Sequence, residues 1–423
     1  MNVLVLGGGA REHALCVALA GSCAQLLCAP GNPGIAQVAR CHPQVDPADP
    51  SAVLRLCAEA RIALCVVGPE APLVAGVADV LRAAGVAVFG PSRAAAQVEG
   101  SKSFAKALMR EAGIPTADFA VFDSAADAAS HARARGACVV KADGLAAGKG
   151  VVVAGSGAEA GAAVEHLASS LGAQAARFVI EDVLEGEEAS VIALCDGERF
   201  ALLPPAQDHK RLGDGDTGPN TGGMGAYTPA PILDDALLAR VGAQVMGPAL
   251  RTLAARGTPF RGALFAGLMI RKSPRGAADF SVLEFNARLG DPECQVLLPR
   301  VQGELLPWLH GAATGALPGL AIPLRSNAVL GVVLASAGYP QAPRSGDAIS
   351  GLDAARQTGA RIFHAGTALR DGALVTAGGR VLTVCGEGDS LQAARAQAER
   401  ACQAIQFSGM QRRHDIGARA LGR

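Results

Sequence analysis

The sequence predicts an α/β protein with a parallel-sheet unit first, an antiparallel α+β region in the middle and a small mixed unit last. Three observations carry that prediction. Apolar runs at 2–6, 25–29, 62–67 and 86–89 each lead into Gly or Pro and alternate with helical patterns, as strands of a parallel sheet do. Between residues 138 and 203 the apolar runs stand at hairpin spacing. A final set of strands and a closing helix follow a connection bearing Pro318 and Pro323.

In the first unit, the run from Asn2 to Leu6 ends in Gly7-Gly8-Gly9, and helices are expected from Arg11 to Ala20 and from Pro72 to Ala84. The unit ends near Val98. Ser101 should cap a helix running to Glu111, which Gly113-Ile114-Pro115 stops. Strands are expected at 138–141, 151–153, 178–182, 189–195 and 199–203, with Gly155-Ser156-Gly157 and Asp196-Gly197 as turns. The stretch from Gln207 to Tyr227, QDHKRLGDGDTGPNTGGMGAY, has no apolar period and reads as a long charged loop. Structureless loops of that length inside a compact domain are uncommon and usually functional, so an anionic small molecule is its expected target. A long helix should cover Asp234 to Arg256. Strands at 263–271 and 280–286 should be joined by Ser273-Pro274-Arg275-Gly276. The third unit starts near Ser326, with strands at 328–334 and 381–384 and a helix from Ser390 to Ile405.

Composition narrows the function. Half of the 423 residues are hydrophobic, and 38 basic side chains balance 38 acidic ones. The basic excess typical of binding to a nucleic-acid backbone is missing. The N-terminal apolar run lacks a basic flank and is too short to span a bilayer. These features predict a cytoplasmic protein with no nucleic-acid or membrane partner. The 11 cysteines include no CxxC pair and fall mostly in apolar runs, as reduced, buried thiols would. Cys294, among charged residues, reads as a bystander.

Four segments carry chemistry. Gly7-Gly8-Gly9-Ala10-Arg11-Glu12 makes a strand-to-helix turn suited to an anion, but Glu12 stands where a dinucleotide fingerprint needs its third glycine. Gly31-Asn32-Pro33-Gly34 and Gly68-Pro69-Glu70-Ala71-Pro72 should share the same sheet edge. In Lys141-Ala142-Asp143-Gly144-Leu145-Ala146-Ala147-Gly148-Lys149-Gly150, a strand-ending lysine precedes a glycine loop with its own lysine. Glycines allow close approach to phosphate oxygens, and lysine supplies a mobile charge. Glu181-Asp182-Val183-Leu184-Glu185-Gly186-Glu187-Glu188 could offer backbone groups to an adenine edge and a carboxylate to ribose. In Glu284-Phe285-Asn286-Ala287-Arg288, alternation puts Glu284 and Asn286 on one strand face, a donor pair that suits Mg²⁺. Arg288 could grip a carboxylate or phosphate, or pair with Asp291.

In this order, VLGGGAREHA, GPEAPL, GSKSFAK, KADGLAAGKGV, IEDVLEGEEAS, the charged stretch, EFNARLGDPE, HAGT, Gly378-Gly379-Arg380 and RRHDIGARAL resemble the glycinamide ribonucleotide synthetase family of the ATP-grasp superfamily. The resemblance covers essentially the whole chain. It implies an ATP-grasp fold with an N-terminal Rossmann-like, biotin-carboxylase-like α/β domain, central ATP-grasp α+β subdomains and a small C-terminal mixed domain. The implied domains are 1–100, 101–325 with a mobile subdomain at about 120–190, and 326–423. It implies ligation of glycine to 5-phosphoribosylamine with ATP as substrate and Mg²⁺ or Mn²⁺ as cofactor, through a glycyl phosphate, in purine biosynthesis, by a monomer.

Carried over residue by residue, Lys102, Lys141, Gly144, Gly148, Lys149 and Gly150 meet the ATP phosphates. Glu181 and Val183 border adenine, Glu188 or Glu187 the ribose, and Glu284 and Asn286 the metal. Gly9, Arg11, Glu12, Asn32, Pro33, Glu70, Gly223, Met224 and Gly225 meet substrate. Lys210, Arg211, Asp214, Asn220, Arg288 and Asp291 serve the chemistry, and Asp208 lines the space between ATP and substrates. Many superfamily members carry an acid on the strand before the metal strand, where this chain reads AGLMIRK, so a leaner metal site is expected. Other readings are a related ligase such as the aminoimidazole ribonucleotide carboxylation enzyme, an NAD-dependent oxidoreductase and a nucleotide-sensing module.

Overall fold

A computed structural model of the chain describes residues 1–145, 150–172, 176–272 and 278–422. The expected turn at 273–276 and the loop residues Gly148 and Lys149 lie outside them.

The N-terminal unit is a five-stranded parallel sheet in the order Arg40–Cys41, Gln25–Pro30, Asn2–Gly7, Leu64–Val67, Ala87–Phe89. Its central strands are buried on both faces, which explains their unbroken apolar runs. Chain order reverses beside Asn2–Gly7, so the loops after that strand and after Leu64–Val67 flank a crevice at the sheet's carboxyl edge. The expected helix over 72–84 is divided into Glu70–Ala75 and Val77–Ala83 by Gly76, whose φ of 88° a non-glycine residue adopts only with strain.

Ser101 caps the helix Lys102–Glu111 as expected, its hydroxyl accepting the Phe104 N–H at 3.1 Å. An antiparallel sheet follows, in the order Phe119–Phe122, Phe178–Glu181, Cys138–Ala142, Val151–Ala154. Helices Ala125–Arg135 and Gly157–Leu171 pack on it around a core of their own. The turn expected at 155–157 is instead the start of the second helix, with the Ser156 hydroxyl accepting the Glu159 N–H at 3.3 Å. Both helices are alanine-rich with small apolar faces, so their periodicity is weak.

A second antiparallel sheet runs Phe200–Leu202, Glu187–Asp196, Arg261–Lys272, Ala278–Asn286. The helix expected over 234–256 forms as one continuous rod with a π-turn at Gly242–Met246. The stretch 207–227 corrects the sequence reading most sharply, because it is not a structureless loop. Gln207–Asp208 and Gly225–Thr228 are strands that join the C-terminal sheet, in the order Gln207–Asp208, Gly225–Thr228, Ala328–Ala335, Arg380–Gly388, Arg361–His364. Arg211–Gly213 and Thr217–Asn220 form a small hairpin between them. Two-residue strands and turn-forming glycines leave no readable alternation, so propensity could not reveal them. The eleven cysteines are free, and nine are buried or nearly so in sheet and helix cores, Cys294 fully.

Candidate active site

The parallel sheet's crevice, the helix Lys102–Glu111 and the two antiparallel sheets face one cleft with a free volume of about 480 Å³, within the usual range for small-molecule sites. Among the residues singled out from sequence, the cleft brings together Arg11, Glu70, Lys102, Lys141, Gly144, Gly150, Asp208, Lys210, Glu284, Asn286, Arg288 and Asp291.

Cations stand on one side. Lys102 Nζ donates to the Gly144 carbonyl at 2.8 Å, and Lys141 Nζ donates to the Leu283 carbonyl at 3.3 Å. Lys141 and Lys106 are both ion-paired with buried Glu181. Burial lowers the Lys102 ammonium below its ordinary pKa despite nearby Glu284. Opposite stands the strand Ala278–Asn286. A bulge opposite Gly267 and Leu268 leaves Leu283 outside the ladder and aligns Glu284 with Gly267. Bulges of this kind re-aim side chains beside functional sites. A Cβ on Gly267 would lie 3.3 Å from Glu284 Cγ, so the glycine makes room for the carboxylate.

Electrostatics concentrate around Glu284. Burial pushes its carboxyl upward, but Lys210, Lys141 and Lys102 outweigh burial and hold it below its ordinary value. Asp208 goes the other way, raised to about 7 by burial and by Glu293, Glu188 and Glu284, although Lys210 opposes. Lys210, ion-paired with Glu188, is raised well above its ordinary value: burial disfavours its charge, but Glu188, Asp208 and Glu284 prevail. The carboxylates and the Asn286 carbonyl are hard oxygen donors and the lysines beside them suit phosphate, a set that fits a divalent cation carried by phosphates. Among the described residues no three acidic, His or Cys groups are grouped so as to hold a metal ion by themselves.

At the N-terminal side, Arg288 bridges Glu70 at 3.0 Å and Glu99 at 2.9 Å. The Arg288–Asp291 pairing considered from sequence does not form. Arg380 takes Asp291 instead, at 3.2 Å, and also donates at 2.6 Å to the carbonyls of Asp291 and Gly222. Burial raises Asp291, but Arg380 and Arg11 hold it below the ordinary carboxylate range.

Other expected site residues sit elsewhere. Glu12 turns back into its own loop, accepting the Gly9 N–H at 2.7 Å and Arg11 Nε at 2.6 Å. Its carboxylate fills the space beside Gly7 and Gly68; a Cβ on Gly68 would lie 2.0 Å from Oε1. Asn32 is committed to the backbone, donating to Gly8 and His364 carbonyls and accepting the N–H groups of Gly34 and Ile35. Pro33 follows it in the same turn. Val183 is exposed on the connection after Phe178–Glu181. Met224 is fully buried, Gly225 packs against the Gly331 carbonyl, and Gly223 turns against Pro292. Arg211, Asp214 and Asn220 belong to the hairpin, away from the cleft lining.

Sequence reasoning gave no role to Lys106 and Glu293, which it quoted only within motifs, or to Glu99, and all three line the cleft. Lys106 had a signal, lying one helical turn beyond Lys102 on the same face. Glu99 had none, because its partners Ala287 N–H, at 2.7 Å, and Arg288 are far away in the chain.

Two α+β modules closing on a lysine-lined cleft, with an oxygen-bearing strand as its floor and a Rossmann-like sheet at its side, define an ATP-grasp ligase, whose family uses ATP with a divalent metal. Comparison with known proteins narrows the class. Three family models match: the phosphoribosylglycinamide synthetase N domain over residues 1–99, its ATP-grasp (A) domain over 100–294 and its C domain over 329–419. The phosphoribosylamine–glycine ligase of Mesorhizobium japonicum is 48% identical over 428 residues, covering 100% of this chain and 99% of that one. The ligase of the same name from Nostoc sp. is 50% identical, covering 99% of each. A crystal structure of phosphoribosylamine–glycine ligase from Thermotoga maritima superposes with a TM-score of 0.84 at 32% identity, covering 98% of this chain and 100% of that one. The biotin carboxylase domain of a Hydrogenobacter thermophilus carboxylase shares the fold, with a TM-score of 0.75 at 16% identity. The chain belongs to the phosphoribosylglycinamide synthetase family.

Proposed function

We propose that this cleft carries out the family's reaction, the joining of glycine to 5-phospho-β-D-ribosylamine with conversion of ATP to ADP and phosphate, with the residue roles that follow. One observation carries the reading: Lys102 and Lys141 face Glu284 and Asn286 across a cleft whose far wall is built from Arg288, Asp291 and the N-terminal crevice. Lys102 and Lys141, with the Gly144–Gly150 loop, hold the ATP phosphates. Glu181, ion-paired with Lys141, borders the nucleotide in this reading. Glu284 and Asn286 hold Mg²⁺ or Mn²⁺, with Glu293 close by; the ion, when bound, shields phosphate charge during transfer.

The glycine carboxylate attacks the γ-phosphorus, ADP leaves and glycyl phosphate forms. The amine of phosphoribosylamine then attacks the acyl carbon, the C–O bond to phosphate breaks and the amine loses a proton. Lys210 and Arg288 stabilise developing negative charge, and Arg11 and Glu70 meet the acceptor at the crevice. No protein nucleophile is required; catalysis is positioning and electrostatics.

The domain division at 1–100, 101–325 and 326–423 belongs to the same reading. The separate core of the 128–180 module supports its motion as a unit. A monomer in the cytoplasm belongs to the same reading; no described helix is long and apolar enough to cross a membrane. The test is ADP release: it should require glycine and freshly generated phosphoribosylamine together. Release with another acid in place of glycine would redirect the assignment.

A further inference from the structure

Asp214 and Asp216 turn away from the cleft and onto the C-terminal tail, while the Arg211 guanidinium donates to the Gly218 carbonyl within the hairpin at 2.8 Å. Asp214 accepts the His414 N–H at 2.7 Å, and Asp415 accepts the Gly215 N–H at 2.8 Å. Asp216 accepts from Arg413 at 2.8 Å and is ion-paired with Arg419. Arg413 also donates to the Arg211 carbonyl at 3.2 Å and makes two bonds of 2.7 Å to Asp415. Its side chain is only 1% exposed. Burying a guanidinium is costly unless its donors are satisfied, and a forked, fully engaged one fixes the orientation of every group it holds.

The hairpin gripped in this way begins and ends at the cleft. Lys210 enters it, Thr221 leaves it, and the Thr221 N–H and Oγ1 donate to the Lys210 carbonyl at 2.7 and 2.8 Å. The base of the hairpin therefore sets the backbone from which the Lys210 ammonium reaches the carboxylates of the site.

We propose that Arg413 is a positioning residue for the ligation. It locks the hairpin of Arg211–Gly213 and Thr217–Asn220 onto the tail, and the hairpin holds Lys210 in its reactive placement. The proposal rests on the role given to Lys210 above. Arg413 itself lies outside the lining of the cleft.

Steady-state kinetics on the full chain test it, with Arg413→Ala, Arg413→Lys, Asp216→Asn, Lys210→Ala and, as a control, Arg412→Ala. Arg412 lies in the same tail but pairs with Glu399 at 2.9 Å. Because small misplacements of catalytic groups are costly, Arg413→Ala and Asp216→Asn should lower kcat about tenfold while the ATP KM stays within about twofold. Arg413→Lys should recover part of the loss, and Arg412→Ala should keep kcat near wild type even where its Tm falls equally. Should Arg413→Ala fail to fold, Asp216→Asn decides, since it leaves the Arg413–Asp415 bonds intact. Unchanged kcat in Asp216→Asn, or an equal loss in Arg412→Ala at equal Tm, overturns the proposal. A crippled Lys210→Ala beside a normal Asp216→Asn overturns it alone; a fully active Lys210→Ala overturns the reading of Lys210 beneath it.

Discussion

Lys141 and Glu181 form a buried ion pair between neighbouring strands of the small antiparallel module, and Lys106 shares the same carboxylate. The arrangement holds a lysine at the phosphate end of the cleft while its charge is compensated. Lys141→Met should raise the ATP KM and lower kcat, together about 100-fold in kcat/KM, or some 2.7 kcal/mol of transition-state stabilisation. Lys106 stays on Glu181, so the stability loss should fall below the 3–5 kcal/mol, roughly, of a fully orphaned buried charge. ATP saturation curves and urea melts check both numbers; unaltered ATP kinetics would remove Lys141 from the site.

Glu284→Gln keeps the shape and removes the charge. Turnover at limiting Mg²⁺ should drop by about 100-fold or more, with part of the loss recovered at high Mg²⁺. The carboxylate sits among three lysines that favour its ionised form, so the neutral amide should also relieve the pull on Lys102 and alter the metal dependence, not the fold. An ADP-release assay across a Mg²⁺ titration reads this directly. The same titration after EDTA treatment should restore activity from near zero.

Gly68→Ala places a methyl against Glu12 Oε1. Displacing Glu12 releases the Gly9 N–H and Arg11, so the acceptor crevice loses its shape while the ATP side is untouched. The KM for phosphoribosylamine should rise about tenfold with the ATP KM unchanged, the split expected for a lost ground-state contact. A parallel rise in both would contradict the separation of the two subsites.

Stability should depend on pH through buried histidines. Burial lowers His13 and His209 to about 3 and His364 to about 4, with cationic or histidine neighbours adding to the effect. The unfolded chain binds their protons near the ordinary value of 6.5, so it is favoured as pH falls. This contribution is fully present above 6.5 and is lost as pH drops toward the folded values. Tm should be level above about pH 7 and fall steadily below it. His209 Nδ1 has no hydrogen-bond partner among the described residues, so His209→Phe should flatten the slope without orphaning a bond. An unchanged slope would assign the acid lability to other groups.

Much of this was legible in the chain. Parallel strands buried on both faces announce themselves as apolar runs, and Ser101 announces a helix start by its hydroxyl. Glu284 and Asn286 could be placed on one face by alternation, although the bulge at Leu283 that aims Glu284 could not. What stayed hidden depends on distant partners or on weak periodicity. Asp214 reads as a catalytic candidate until His414 is seen bonded to it, and Arg380 gains meaning only when Asp291 is beside it. Alanine-rich helices such as Gly157–Leu171 have little contrast between faces, so Ser156 looked like a turn residue.

Activation of the glycine carboxylate is the central step in this cleft, and the most direct measurement follows its oxygens. With glycine labelled by ¹⁸O in both carboxylate positions, the phosphate released in the presence of phosphoribosylamine should carry one labelled oxygen per turnover. Label-free inorganic phosphate released while glycinamide ribonucleotide forms, with the second carboxylate oxygen appearing in water, would contradict it.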